Sequence, residues 1–365
     1  MDKRETNPFN PQFGKRPQQF IGRELIINDF LKGLADHNDL NRTTIITGIR
    51  GSGKTAILSD IHTSLDEKKY AIIDITAHDG MLLEILDGFI RYNKGKSWLG
   101  KGYNSIQSFS VGALGFSVGL EKKSENETHS FRFLLTGLLD DLMSKNITTV
   151  FLIDEVHNGT PEMREFAVTY QHLVREEYDI ALMMAGLPSS VNDVLNDKIL
   201  TFLRRAHRVE LENIEIKAVE IAYEKAFSKA GRGFLGNALQ EAAEATDGYP
   251  YLIQLLGYYL FNDGSRDIDS KLVLQSLELA KLELFRNVHD MLLQGLSIKD
   301  QDFLFAMAED DAASDFASIK ERLGVSPGYA SKYRLRLIAA GMVRPVEHGK
   351  LAFVPPYLRE YLRMR

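Results

Sequence analysis

The sequence predicts an α/β protein with a mostly parallel sheet, followed by a helical region and a C-terminal helix-turn-helix. Short apolar runs alternate with helical patterns as far as residue 213, which is typical of parallel strands joined by crossover helices. Strand patterns then disappear, and helical periods dominate over 214–296. Residues 297–365 predict two helices separated by a short turn and then two brief strands, the order found in a winged helix.

The first predicted strand runs into a glycine-rich turn and a helix. The segment TIITGIRGSGKTAI (44–57) matches the phosphate-binding pattern G-x-x-x-x-G-K-[ST]. Glycines let backbone N–H groups turn inward, and the following helix directs the positive end of its dipole at the same point. Lys54 is expected to contact the β- and γ-phosphates of ATP, and the Thr55 hydroxyl to bind Mg²⁺. The predicted nucleotide-binding loop comprises Gly48, Ile49, Arg50, Gly51, Ser52, Gly53, Lys54, Thr55 and Ala56.

Two more elements precede an irregular stretch. KKYAIIDIT (68–76) predicts a second strand, and GMLLEILDGFIRYN (80–93) predicts a helix. Within 94–127, apolar and small residues alternate around two glycines, which predicts a β-hairpin-like insertion. A helix is expected over about 129–145.

The next predicted strand ends in two carboxylates. TTVFLIDEV (148–156) is an apolar run of the kind found in buried parallel strands, and it ends at Asp154 and Glu155. The carboxyl ends of such strands form the ligand-binding edge of an α/β sheet. Asp154 is therefore expected to hold Mg²⁺, and Glu155 to polarise a water against the γ-phosphate. The adjacent glutamate favours hydrolysis of ATP over phosphate transfer to another substrate.

The remaining patterns complete a four-part organisation. A helix (161–177), a strand (179–186), a further helix and a last strand (207–213) complete the sheet region. We expect an N-terminal arm (1–19), a nucleotide-binding core (20–213), a helical lid (214–296) and a winged helix-turn-helix (297–365).

Composition narrows the class of protein and its location. The chain has 365 residues and no cysteine, which excludes disulfides and thiolate metal sites and is compatible with a reducing cytoplasm. The first residues lack an apolar signal-peptide core, and no uncharged stretch approaches the length of a membrane span. We therefore expect a cytoplasmic protein without a membrane partner.

Charge is unevenly distributed along the chain. Residues 320–365 contain ten basic and three acidic residues, a net charge of +7, which leaves −13 for the rest. A basic tail on an acidic body predicts a polyanionic partner, and double-stranded DNA is the expected one. In the predicted second helix (326–340), Ala330, Tyr333, Leu337 and Ala340 would face the core. The candidate DNA contacts are Lys332, Arg334 and Arg336 on that helix, with Arg344 and Lys350 on the wing. The alternative is a winged helix that docks protein, with these residues merely solvated.

The nucleotide-binding loop, the acidic strand, the helical lid and the winged helix together resemble the AAA+ ATPases of the origin-recognition initiator type. FIGRE (20–24) matches the place where these ATPases contact adenine, which implies that Ile21 and Gly22 line that pocket. FLRRAHRVEL (202–211) matches the place of a trans-acting arginine finger, which implies Arg204 or Arg205 and a homo-oligomer; the alternative is that one arginine only stabilises the sheet edge.

Two further stretches depart from the resemblance. At GLPSS (186–190), where a sensor of the γ-phosphate is expected, Gly186 occupies the nearest equivalent position and Ser189 is a weak substitute. At GYPYLIQLLG (248–257), initiator ATPases carry an arginine, whereas this chain has Tyr249, Pro250 and Tyr251. That form is more similar to the signal-transduction ATPases, which act as slow switches.

Three functions follow as hypotheses. The first is an ATP-hydrolysing protein whose nucleotide state controls DNA binding or assembly, with ATP and Mg²⁺ as cofactors. The second is a signalling ATPase switch of the STAND type whose winged helix binds a protein partner. The third is a transcription regulator that binds ATP without useful hydrolysis.

Overall fold

The computed structural model describes residues 6–12, 21–92, 130–157 and 160–365. The predicted hairpin-like insertion (94–127) lies outside these residues. Five parallel strands form one sheet in the order β2-β3-β4-β1-β5, which confirms the predicted parallel α/β sheet. The strands are β1 (Thr43–Thr47), β2 (Tyr70–Thr76), β3 (Thr148–Asp154), β4 (Ile180–Gly186) and β5 (His207–Glu210).

Helices cover both faces of this sheet, so its central strands are buried over most of their length. Every residue of β4 and all but the last residue of β3 are buried. One face packs against α1 (Glu24–Gly33) and α2 (Lys54–Ser64). The other face packs against α3 (Met81–Tyr92), α4 (Phe131–Met143), α5 (Pro161–Arg175) and α6 (Pro188–Asn196).

The strand order brings the two predicted motifs to one edge of the sheet. Strand β4 lies between β1 and β3, and all three end at the same edge because they are parallel. A side chain at Gly186, where β4 ends, would place its Cβ 2.8 Å from the carbonyl oxygen of Val156. The absence of a side chain there lets the loop after β3 lie close against the end of β4.

Residues 214–296, here called the lid, contain helices that pack around a core separate from those of the sheet. Its helices are α7 (Ile216–Lys229), α8 (Ala238–Glu244), α9 (Pro250–Asp263) and α10 (Ser270–Leu284). The expectation that strands are absent was wrong in one detail, because β6 (Gly233–Phe234) and β7 (Asp267–Ile268) pair in parallel. Two-residue strands are too short to produce an alternating sequence pattern.

The N-terminal arm is anchored to the lid where the structure describes it. Residues 6–12 form neither helix nor strand, but Phe9 is only 3% exposed and packs edge-on against Tyr223. The amide of Asn7 donates to the carbonyl oxygen of Tyr258, and the backbone N–H of Asn10 donates to the side-chain oxygen of Gln254. This polar stretch thus contributes one buried aromatic ring to the lid core.

Residues 297–365, here called the C-terminal unit, follow a π-helical turn (Phe285–His289) and α11 (Asp290–Gln294). Its helices are α12 (Ile298–Ala308), α13 (Phe316–Leu323), α14 (Pro327–Ala339) and α15 (Leu358–Arg363). Strands β8 (Ser314–Asp315), β9 (Val343–Glu347) and β10 (Lys350–Phe353) form an antiparallel sheet in the order β8-β10-β9. As predicted, α14 buries Ala330, Tyr333 and Leu337, and Ala340 is half-buried.

Within the described residues, no helix combines the length and the apolar character that crossing a membrane requires.

Candidate functional site

The glycine-rich loop turns directly into α2, as its sequence predicts. Gly53 has a φ of +94°, a left-handed conformation that suits glycine, and α2 begins at Lys54. The Lys54 ammonium donates to the carbonyl oxygens of Gly48 and Ile49, at 2.7 and 2.9 Å. The lysine thus lies across its own loop, at the positively polarised end of the helix where phosphate binds in such loops.

The electrostatic environment of Lys54 is unusual for a lysine. Burial lowers its pKa from 10.5 to about 8, Asp154 and Glu155 oppose this, and the neighbouring Arg50 lowers the pKa further. An anion would stabilise the half-buried ammonium of Lys54, which has a second cation beside it. The phosphates of a nucleotide would supply such a negative charge.

We expect ATP binding to weaken as the pH rises through 8, because the cationic form of Lys54 binds phosphate and is lost above its pKa. An ATP analogue should bind about tenfold more weakly at pH 9 than at pH 7, since each pH unit above the pKa removes about tenfold of the protonated form. Titrations at pH 7, 8 and 9 measure this. A Lys54→Arg variant keeps its charge over the range and should show little pH dependence. The same decline in both proteins would contradict the assignment to Lys54.

Thr55 and Asp154 meet although they lie on different elements. The Thr55 hydroxyl donates to Asp154 Oδ2 at 2.6 Å, between the start of α2 and the end of β3. A hydroxyl and a carboxylate are hard oxygen ligands of the kind that Mg²⁺ prefers. In the described part of the chain, no three His, Cys, Asp or Glu side chains cluster as a metal site. Mg²⁺ typically binds one or two protein groups and takes its other ligands from phosphate and water.

Glu155 occupies a strained turn at the same edge. Its φ is +53°, which is uncommon for a residue with a side chain, and its backbone N–H donates to Asp154 Oδ1 at 2.8 Å. The side chain is exposed, and its carboxylate has no hydrogen bond or ion pair within the described residues. It is therefore available to a water molecule beside the Thr55–Asp154 pair.

The residues predicted to contact adenine lie where the core meets the lid. Ile21 is buried in the lid core, and Gly22 has a φ of +67°. A Cβ at Gly22 would lie 3.2 Å from Ile214 Cγ2, and the Ile214 N–H donates to the carbonyl oxygen of Gly248 at 2.8 Å. Ile214 could not be singled out from the sequence, because an isolated isoleucine between two elements carries no pattern.

The position expected to sense the γ-phosphate has no side chain to do so. It falls on Gly186, where the approach of Val156 leaves no room for one. Ser189 is half-buried in the first turn of α6. The structure thus agrees with the sequence in offering no strong polar sensor at this strand end.

The two candidate finger arginines have different environments. The Arg204 Nε–H donates to the carbonyl oxygen of Leu195 at 2.7 Å, which ties the turn Thr201–Arg205 to the end of α6. Arg205 is exposed and makes no hydrogen bond or ion pair with any residue that the structure describes. Arg204 therefore fits the stabilising role, and Arg205 is the arginine that remains available to another subunit.

The candidate DNA contacts on α14 and the wing also differ from one another. Arg336 forms an ion pair with Asp300, which is only 2% exposed. Lys350 pairs with Glu347 at 2.8 Å, and the Arg334 guanidinium lies 4.7 Å from the centre of the Phe316 ring. Lys332 and Arg344 are exposed, and neither makes a hydrogen bond or ion pair within the described ranges.

The basic excess of the tail is largely balanced within the C-terminal unit. Counted as a whole, residues 297–365 contain eleven basic and nine acidic residues, a net charge of +2. The extra acids precede residue 320, and several pair with the tail: Asp310 with Arg322, and Asp311 with Arg363. The net charge of +7 counted over 320–365 therefore overstates the positive charge of the C-terminal unit as a whole.

Comparison with known families identifies the class that this fold and loop define. Residues 38–195 match the model of the AAA domain family, and residues 286–362 match a domain of unknown function. The first match spans the glycine-rich loop and the acidic strand. Residues 38–195 therefore carry a P-loop AAA domain, and the fold of the chain is the AAA+ fold, which confirms the resemblance inferred from the motifs.

Solved structures share this fold over almost the whole chain. The Walker-type ATPase PABY2304 of Pyrococcus abyssi is 17% identical with a TM-score of 0.65, and the match covers 95% of this chain and 97% of that one. The Aeropyrum pernix ORC2 protein, solved in ADPNP–ADP complexes, is 14% identical with a TM-score of 0.63, covering 97% and 96%. No curated protein sequence matches the chain.

Proposed function

We propose that this protein binds and hydrolyses ATP with Mg²⁺, and that its nucleotide state controls what the C-terminal unit binds. The observation that carries the proposal is the convergence of Lys54, Thr55, Asp154 and Glu155 at one edge of the sheet. Nucleotide titration calorimetry on the full chain tests ATP binding, and a phosphate-release assay tests ATP hydrolysis.

Each of these residues has a distinct role in the proposed reaction. Lys54 exchanges its bonds to the loop carbonyls for bonds to the phosphates. Thr55 and Asp154 would hold Mg²⁺, which supplies charge neutralisation at the phosphates. Glu155 orients and polarises the attacking water through a carboxylate with no protein partner among the described residues.

For the C-terminal unit we propose duplex DNA as the partner, bound through the exposed cations of α14 and the wing. Lys332 and Arg344 are the best candidates, because both are exposed and neither makes a hydrogen bond or ion pair within the described residues. Arg334 can contribute from its place over Phe316. Arg336 and Lys350 would first have to release Asp300 and Glu347.

We expect a Lys332→Ala/Arg344→Ala variant to lose affinity by similar factors on two unrelated duplexes, because phosphate contacts carry little sequence information. Its plot of log affinity against log salt should flatten by about two units of slope, one for each lost contact. Fluorescence anisotropy at several salt concentrations measures this. The control is Lys229→Ala/Lys271→Ala, which removes two exposed lid lysines and should behave as the parent does.

ATP should tighten DNA binding in the parent but not in Lys54→Ala. Equal affinity for DNA with and without nucleotide would refute the proposal that the nucleotide state regulates DNA binding.

We further propose that the protein assembles into a homo-oligomer in which Arg205 reaches the nucleotide of a neighbouring subunit. The support is its exposure on a turn next to β5 and the absence of a partner within the described residues. A guanidinium at the γ-phosphate stabilises the charge of the transition state.

A mixing experiment separates the two arginines. Arg205→Ala protein keeps its own site, and Lys54→Ala protein keeps its arginine, so a mixture should recover part of the hydrolysis that each has lost. Arg204→Ala should instead lower the melting temperature and gain nothing from mixing, because its bond to Leu195 is internal. If mixing restores no activity and the parental rate per subunit does not depend on concentration, Arg205 does not act between subunits.

The second candidate is a signalling switch whose C-terminal unit binds protein. It is favoured by the near-neutral charge of that unit and by two exposed apolar residues on α14, Tyr329 at 45% and Leu335 at 60%. DNA binding that ignores salt and the Lys332→Ala/Arg344→Ala change would favour this alternative.

A further inference from the structure

The tyrosine-containing segment at the start of α9 contacts the nucleotide-binding loop directly. Tyr249 is fully buried, and its hydroxyl donates to the carbonyl oxygen of Arg50. Two residues later, the backbone N–H of Tyr251 donates to the carbonyl oxygen of Gly51 at 3.2 Å. The lid therefore holds two successive carbonyls of the loop.

The lid packs so closely against the loop that a side chain at Gly51 would not fit. Gly51 has a φ of +74°, and a Cβ there would lie 2.2 Å from the Tyr249 hydroxyl oxygen. Glycine is thus required at this position both by its backbone conformation and by the approach of the tyrosine.

Holding these carbonyls has a consequence for phosphate binding. A peptide unit is planar and trans, so its N–H points opposite to its C=O. Because the Arg50 carbonyl accepts from Tyr249, the N–H of Gly51 points away from the Tyr249 hydroxyl. Phosphate-binding loops use backbone N–H groups as donors to phosphate, so this bond fixes the orientation of one such group.

We propose that Tyr249 is a positioning residue that orients the nucleotide-binding loop and thereby couples the lid to nucleotide. The coupling runs through the loop backbone, in a chain that has tyrosine and proline where initiator ATPases carry an arginine. This inference rests on the proposed nucleotide binding, and it adds the residue through which the lid would respond to it.

The C-terminal unit contacts the same loop, which extends the coupling. A Cβ at Gly341, just after α14, would lie 2.5 Å from Ile49 Cγ2. The Tyr357 hydroxyl donates to the carbonyl oxygen of Ala245 at 2.8 Å, shortly before Tyr249. Three consecutive loop residues, Ile49, Arg50 and Gly51, thus contact the lid or the C-terminal unit.

The test compares two hydroxyl deletions in the same lid. Tyr249→Phe keeps the buried ring and removes the bond to Arg50. The matched control is Tyr223→Phe, because Tyr223 is also fully buried and its hydroxyl donates to the carbonyl oxygen of Ile253 at 2.7 Å, within the lid. Both variants should melt at a somewhat lower temperature than the parent. We expect the dissociation constant for ADP to rise about fivefold in Tyr249→Phe, the factor that one net hydrogen bond contributes, and to stay at the parental value in Tyr223→Phe.

Hydrogen exchange provides a second measurement. ADP should slow exchange over 248–263 in the parent and in Tyr223→Phe, and should do so less in Tyr249→Phe. Unchanged or tighter ADP binding by Tyr249→Phe would overturn the positioning role, as would equal weakening in both variants. A parent that binds no nucleotide would instead refute the proposed function itself.

Discussion

Glu155→Gln protein should bind ATP with nearly parental affinity but hydrolyse it at least about 100-fold more slowly. The amide keeps the size and shape of the side chain, but it cannot polarise the attacking water. The geometry supports a separation of binding from hydrolysis, because the proposed phosphate ligand Lys54 and the Thr55–Asp154 pair are left intact. Isothermal titration with ATP and a phosphate-release assay measure the two properties on the same preparation.

Glu177 provides a matched control for this substitution. It is an exposed glutamate with a φ of +60°, close to the +53° of Glu155, but it precedes β4 at the opposite edge of the sheet. Glu177→Gln should hydrolyse ATP at the parental rate, and Lys54→Ala should abolish binding. Parental turnover by Glu155→Gln would show that another group activates the water.

Phe9→Ala should lower the free energy of unfolding by about 3–5 kcal/mol, the usual cost of truncating a fully buried phenylalanine. The ring lies 5.4 Å from that of Tyr223 and 5.6 Å from that of Phe227. It also fits against Gly257, where a Cβ would lie 2.5 Å from Phe9 Cδ1, so the cavity cannot be filled from that side without backbone movement. Denaturant unfolding followed by circular dichroism measures the change.

The control for this prediction is an exposed phenylalanine. Phe133 on α4 is 57% exposed, and Phe133→Ala should change stability by no more than about 1 kcal/mol. If the two variants unfold alike, the N-terminal segment does not stabilise the lid. If Phe9→Ala behaves as expected, nucleotide binding should also fail at a lower temperature, because the lid that Phe9 supports carries Tyr249.

The glycine-rich loop and the acidic strand could be predicted from the sequence, because each is formed by consecutive residues. The predicted first strand and the observed β1 both end at the start of the loop, and Gly53, Lys54 and Thr55 form the expected junction with α2. The acidic strand likewise ends at Asp154 as expected. A buried parallel strand requires an apolar run, and a phosphate-binding turn requires glycine at set positions, so both leave contiguous patterns.

The surface charge of the C-terminal unit was harder to predict, because acidic residues that precede 320–365 pair with cations inside that segment. The excess of cations from Lys320 onward suggested a strongly basic surface. The fold places Arg336 against Asp300 and Arg363 against Asp311, which precede that segment. The charges along a chain predict the electrostatic field at a protein surface only when the neighbours of each charge in the folded structure are known.

By itself, the sequence determined the α/β class, the nucleotide-binding loop and the carboxylates of the acidic strand, since each follows from backbone geometry within a few residues. Only the tertiary structure decided which distant residues contact the loop and the lid. Tyr249 and Arg50 are 199 positions apart, and the backbone N–H of Asn10 meets Gln254 across 244 positions. Such contacts depend on how the lid packs against the sheet, and packing depends on the shapes of whole surfaces, which no local pattern of residues records.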